Sequence, residues 1–258
     1  MPGHRLQRLI VHEPRMRWPV PSDLAARIEG QVVRRCERRG KYLLIGFDSG
    51  TLIVHLGMSG SLRRVPLDEA RRKHDHIEWV FEHARFLLHD PRRFGAVLWH
   101  PASAGPVLEH PLLAKLGVEP FGEQFTPELL HRGLQGKKVA IKQALLAGQI
   151  VVGVGNIYAS EALFRARIHP LTPAGRLSLK RCVTLCQSIR DTLGDALVSG
   201  GSTLRDYVNA SGEAGAYFDI HAGVYDRAGL PCRVCGTPIR KIMQGQRATY
   251  YCPKCQRR

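Results

Sequence analysis

Four of the seven cysteines lie near the C-terminal end in two pairs, Cys232/Cys235 and Cys252/Cys255, spaced C-x2-C-x16-C-x2-C. Thiolates at that spacing close a tetrahedral zinc site between two knuckles, and no other pattern in the chain restricts the fold as tightly. Both pairs stand in turn-like sequence, Pro231-Cys232-Arg233-Val234-Cys235-Gly236 and Cys252-Pro253-Lys254-Cys255. That context argues against two unrelated redox pairs. Residues 237–251 between them are long enough for a β-hairpin. Residues 226–258 carry eight Lys/Arg and one acid. So short a unit buries too little apolar surface to fold alone, and the metal would supply much of its folding free energy. Protein fills all four zinc positions and leaves no open site for chemistry, so the module reads as a contact to phosphate. Cys36, Cys182 and Cys186 read as structural.

The charge points the same way. The 258 residues hold 38 Lys/Arg against 22 Asp/Glu, a formal net charge of +16. An excess of that size implies a polyanionic partner, most often nucleic acid. The basic residues also cluster beside turns and helix ends: Arg34, Arg35, Arg38, Arg39 and Lys41; Arg71-Arg72-Lys73-His74; Arg92-Arg93; Lys137-Lys138 with Lys142; and the zinc module. Convergence of these clusters on one groove would suit a bent duplex. No apolar run is long enough for a membrane span, and Met1-Pro2-Gly3-His4 has no apolar signal region, so a soluble cytoplasmic chain is expected.

Residues 1–115 read as mostly β. Short Val/Ile/Leu/Phe/Trp-rich runs at 5–12, 31–35, 42–47, 51–56, 76–82, 85–88 and 96–99 are separated by turn signals, which suggests a sandwich or barrel. Residues 22–30 allow a short helix capped by Ser22. Past a linker at 116–122 the pattern turns helical. Thr126-Pro127-Glu128 is a helix start, and helices are expected at 139–146, 156–166 and 179–198. The last carries an apolar stripe of Leu179, Val183, Cys186, Ile189, Leu193 and Leu197. Residues 202–223 read as a long loop. Domains are therefore expected at 1–115, 123–223 and 224–258, giving an α+β, multidomain chain.

Five motifs occur in order along almost the whole chain: His55-Leu56-Gly57-Met58-Ser59-Gly60, Lys73-His74-Asp75-His76, Asp90-Pro91-Arg92-Arg93-Phe94-Gly95, Gly153-Val154-Gly155-Asn156-Ile157-Tyr158, and the zinc module. Together they resemble formamidopyrimidine-DNA glycosylase, a bacterial family that removes oxidised purines such as 8-oxoguanine from duplex DNA. The resemblance implies an N-terminal β-sandwich, a helix–two-turn–helix domain and a C-terminal zinc-ribbon β-hairpin holding one structural zinc. It implies a monomer bound to DNA, at the nucleoid. Met58, Arg92 and Phe94 match the trio that fills the gap left by a flipped base: an apolar wedge, a guanidinium for the orphaned cytosine, and a stacking ring. Lys41 matches a proton donor in strand cleavage, and Arg247 matches an arginine credited with the second elimination. His74, Arg92 and Lys138 match DNA contacts. Lys142 lies close by, and Asn156 falls where a phosphate meets a helix N-terminus. Tyr217 and Phe218 match an aromatic pair in the loop that closes over the lesion.

The family's nucleophile is an N-terminal proline followed by glutamate at the head of a helix. This chain opens Met1-Pro2-Gly3, and Pro2 aligns with the end of that helix rather than its start. The 258-residue chain is therefore expected to be less stable and inactive. Two readings follow: a native protein longer by that helix, or a short protein that binds damaged DNA without cutting it. A zinc-ribbon factor for RNA or damaged DNA with no catalytic role is the alternative of a different class. It explains the zinc module and the charge, but not the Met58/Arg92/Phe94 trio.

Overall fold

Short apolar-rich runs over residues 1–101 build two four-stranded antiparallel sheets that share one core. The computed structural model describes residues 1–201 and 215–257. The strands are β1 (Arg8–Val11), β2 (Arg35–Arg39), β3 (Tyr42–Phe47), β4 (Gly50–His55), β5 (Ser61–Val65), β6 (Asp75–Val80), β7 (Arg85–His89) and β8 (Ala96–Pro101), with helix α1 (Leu24–Ile28) after β1. One sheet has the order β1-β6-β7-β5 and the other β2-β3-β4-β8. Leu9, Ile77, Trp79 and Leu88 from the first sheet meet Ile45, Leu52, Val54 and Val97 from the second, with Leu24 and Ile28 of α1 closing the side.

Two strands depart from the expected pattern. β5 was not anticipated, because Arg63 and Arg64 break up its apolar residues; Leu62 faces the core. Arg63 is buried, and its guanidinium meets the fully buried carboxylate of Asp75 at 3.2 Å. β2 lies at 35–39 rather than 31–35. It is an exposed edge strand of sequence Arg-Cys-Glu-Arg-Arg, and charge on an edge protects it from pairing with other chains. Helix α1 starts after Asp23, and Ser22 does not cap it.

The chain forms two compact units, one built on Met1–Ala114 and the other on Lys115–Ser199 with Ala216–Arg258. The second contains α2 (Pro127–Leu134), α3 (Ile141–Leu146), α4 (Asn156–Arg165), α5 (Leu179–Val198) and α6 (Tyr217–His221), then the hairpin β9 (Arg240–Gln244) and β10 (Arg247–Tyr251). Thr126 Oγ1 accepts from Leu129 N and Pro127 opens α2, as the cap sequence predicts. Helix α5 has the expected bounds but buries a face rotated from the expected stripe: Cys182, Leu185, Cys186, Ile189 and Leu193 are inside, whereas Val183 and Leu197 are exposed. Small polar residues on the buried face, Ser188 and Thr192, hid the true period. Residues 217–221, expected within the loop, are helical in α6. No helix among the described residues is long and apolar enough to cross a membrane.

Candidate nucleic-acid interface

Strand register brings the expected lesion-side residues of the first unit to one sheet end. Tyr42 pairs with His55, and His55 pairs with Ala96, so β3, β4 and β8 finish in one row. Lys41 stands just outside that row, in the two-residue turn it forms with Gly40, whose φ is +58°. Met58 follows His55 in the next turn, and Phe94 precedes Ala96 in the third. The turns touch: a Cβ on Gly57 would lie 2.6 Å from the Phe94 carbonyl carbon, so only glycine fits there. Met58 is 71% exposed and Phe94 44% exposed, which removes core packing as the reason for either side chain. The Arg92 guanidinium carbon sits 4.7 Å from the Phe94 ring centroid. His55 accepts from Gly57 N through Nδ1 at 2.9 Å. Burial, then the nearby charges of Lys41 and Arg17, push its pKa down and favour the neutral ring.

A residue not anticipated as functional ties these turns together. Asp90 is fully buried. Its Oδ1 accepts from Ser59 Oγ at 2.9 Å, beside Met58, and its Oδ2 accepts from Gly95 N at 2.7 Å, beside Phe94. Its backbone N donates to His74 O at 3.0 Å. Its carbonyl accepts from His76 Nε2 at 2.9 Å, which places the imidazole proton on Nε2 because a carbonyl cannot donate. One residue thus braces the segments that carry Met58, His74 and Arg92/Phe94. The sequence signal was present, an Asp before Pro91 in a turn, but it reads as turn chemistry alone. His74 itself is half-buried at φ +72°, with ring centroids of His76 and His89 about 6 Å away. Desolvation first, then the charge of Lys73, lowers its pKa.

In the second unit Lys138 is exposed on the turn between α2 and α3. Lys142 is not at the surface. It is 1% exposed, and its Nζ donates to Thr249 Oγ1 at 2.7 Å and Ala248 O at 3.1 Å. Its charge is spent inside the protein, fastening α3 to β10. Burial, then the charge of Arg247, lowers its pKa from 10.5 to about 7. Asn156 opens α4 after Gly155, and its Nδ2 donates to the same Ala248 carbonyl at 3.0 Å and to Tyr225 OH at 3.1 Å. Arg247 immediately precedes that doubly held carbonyl. It is exposed beside the two-residue turn Gly245-Gln246, where both residues have positive φ.

The four module cysteines converge, with all four sulfurs within 4.8 Å of one another. Cys235–Cys252 and Cys232–Cys255 are 3.5 and 4.0 Å apart. A zinc tetrahedron with Zn–S bonds of about 2.3 Å needs edges of about 3.8 Å, so the residues fit one structural zinc. Gln256 secures the module: its Oε1 accepts from Cys252 N and its Nε2 donates to Ile168 O, both at 2.9 Å.

Tyr217 is buried at the start of α6, its ring 5.4 Å from Tyr158 and nearly perpendicular to it. The Phe218 side chain and residues 202–214 lie outside the described residues. After α6 the buried Glu161 carboxylate accepts from the backbone N of Gly223, Val224 and Tyr225 at 2.7–3.0 Å and anchors the path into the zinc module.

Three family models match in order. The formamidopyrimidine-DNA glycosylase N-terminal domain covers residues 1–97, the formamidopyrimidine-DNA glycosylase H2TH domain covers 116–208, and a zinc finger found in FPG and IleRS covers 229–258. Formamidopyrimidine-DNA glycosylases of Bordetella petrii and Bordetella pertussis are 66% and 68% identical over 256 residues, covering 99% of this chain and 93% of each relative. A solved complex of Lactococcus lactis Fpg with abasic-site DNA superposes with a TM-score of 0.89 at 34% identity, covering 99% of this chain and 93% of that one. The complex of wild-type L. lactis Fpg (MutM) with N7-benzyl-Fapy-dG DNA gives 0.89 at 33%, covering 100% and 94%. On these matches over almost its whole length, the chain belongs to the formamidopyrimidine-DNA glycosylase family.

Proposed function

We propose that this chain acts in base-excision repair, removing oxidised purines such as 8-oxoguanine and formamidopyrimidines from duplex DNA and cleaving the strand at the resulting abasic site. The observation that carries the reading is the single sheet end at which Lys41, Met58, Arg92 and Phe94 gather, with two large apolar side chains held in solvent. Solved L. lactis relatives bound to abasic-site and N7-benzyl-Fapy-dG DNA support the substrate class.

The target nucleotide must leave the stack, because its glycosidic bond is shielded there. Extrusion costs a few kcal/mol. Met58 offsets part of that cost by wedging the stack, Phe94 stacks on the neighbouring base, and Arg92 hydrogen-bonds the orphaned partner. His74, Lys138 and the backbone N–H groups at the start of α4 hold phosphates. Asn156 serves that contact indirectly, since its amide is committed to Ala248 and Tyr225. Lys41 supplies a proton during strand cleavage, and Arg247 reaches the DNA from the hairpin turn in the later elimination. Tyr217 and Phe218 belong to the segment that closes on the lesion. One zinc ion holds the knuckles, and affinity for duplex DNA would keep the protein at the nucleoid.

Gel shifts test the reading. Binding should be tighter to duplex with an abasic site than to intact duplex or RNA; equal binding to all three would instead support a general zinc-ribbon binder.

A further inference from the structure

Arg167, Arg181, Lys254 and Arg257 line an open cleft of about 540 Å³ beside the zinc knuckles, with Val234 and the thiols of Cys235 and Cys255 completing its wall. No acidic side chain lines the cleft, and none of the four cations makes an ion pair among the described residues. Four thiolates around one zinc ion carry a net charge of −2, which offsets only part of this positive charge.

The walls are fixed. Gln256 Nε2 donates to Ile168 O, which locks the residue before Arg257 to the residue after Arg167. Arg181 donates through a guanidinium nitrogen to Arg167 O at 3.3 Å. Arg167 occupies the left-handed position that ends α4, at φ +54°, where glycine is usual. A long cation there presents its charge at a defined place.

Two internal rulers separate the cleft from the DNA-contact groups of the same unit. Helix α4 has ten residues, about 15 Å at 1.5 Å per residue, with Asn156 at its first turn and Arg167 beyond its last. β10 has five residues, about 17 Å at 3.4 Å per residue, with Arg247 at its start and Cys252 beyond its end. The cleft is thus at the far end of both elements. No aromatic ring lines it, so it offers no stacking platform for unpaired bases. A concave cleft suits a few side chains rather than the ridge of a duplex. Val234 is 62% exposed and adds an apolar wall.

We propose that this cleft is a docking site for an acidic peptide segment of a partner protein, with carboxylates on the arginine pair and an apolar side chain on Val234. Clusters of arginine serve this kind of recognition elsewhere. It leaves the DNA-contact residues free, so partner and substrate bind together.

The zinc-loaded full chain is titrated with a fluorescein-labelled Glu-Glu-Glu-Glu-Leu peptide, followed by fluorescence anisotropy, alone and saturated with abasic duplex. The peptide should bind equally in both states. The double variant Arg167→Glu/Arg181→Glu should weaken peptide binding about tenfold or more, while its Kd for abasic duplex stays within about twofold. Val234→Asp, which keeps every arginine, should weaken the peptide as well. Zinc content equal to wild type shows that the variants are folded. Displacement of the peptide by duplex, or a parallel loss of duplex affinity in the double variant, would overturn the proposal by making the cleft part of the DNA surface. Unchanged peptide binding in the double variant would overturn it outright. Failure to prefer abasic duplex would count against the repair reading alone.

Discussion

Lys142 keeps an ammonium group where water cannot reach it, and this has a pH signature. Its pKa falls from 10.5 to about 7 on folding, chiefly through burial. Between those values the unfolded chain binds the extra proton, so stability rises with pH across roughly pH 7 to 10, by at most about 1.4 kcal/mol per pH unit. Urea unfolding of wild type and Lys142→Met should show a gain from pH 7 to pH 9 that is larger in wild type; parallel curves would mean the buried group does not titrate in this range. Asp90 makes a second residue-scale prediction. Asp90→Ala leaves Ser59 Oγ and Gly95 N unpaired in a buried site, at about 1–3 kcal/mol. The preference for abasic over intact duplex should fall about tenfold, with affinity for intact duplex nearly unchanged. A uniform loss on both duplexes would mean that the carboxylate only stabilises the sandwich. Lys142 and Asp90 also mark where the sequence was least legible. Lys142 looks like any other basic residue near a cluster, and nothing local shows that Ala248 and Thr249, more than a hundred positions away, will enclose it. The zinc ligands were legible because their spacing is itself the geometry.

Among elements, turns carry the proposed lesion chemistry and strands set their positions. The row Tyr42–His55–Ala96 aligns three turns, and the turn glycines allow close approach. Much of this could be read from apolar runs, helical spacing and turn residues: β3 and α5 have the expected bounds, and α4 differs by one residue. Two of the misses share one cause, polar side chains that are buried. Arg63 masks β5, and Ser188 with Thr192 masks the buried face of α5. The zinc hairpin and the Phe94 turn should separate in experiment. Cys252→Ser loosens the knuckle that positions β10 and should weaken binding to every duplex about tenfold or more. Phe94→Ala should leave binding to intact duplex within about twofold and reduce lesion-dependent steps about tenfold. Equal effects of the two changes, by gel shift on abasic and intact duplex, would count against Phe94 as a wedge.

For the molecule as a whole, +16 charges predict strong salt dependence. If about six Lys/Arg neutralise phosphates, duplex affinity should drop about a thousandfold between 50 and 200 mM salt. A flat response by fluorescence anisotropy would contradict an electrostatic grip. The doubly held Ala248 carbonyl has a further consequence. Because Lys142 and Asn156 of the helical region fasten to the zinc hairpin there, and Gln256 fastens it again at Ile168, occupancy of the four thiols is linked by mass action to the stability of the entire second unit. Each tenfold rise in free zinc above the dissociation constant adds about 1.4 kcal/mol to that unit. Free metal concentration would therefore act as a dial on how long the turn that carries Lys138 and the helix that carries Asn156 survive heating.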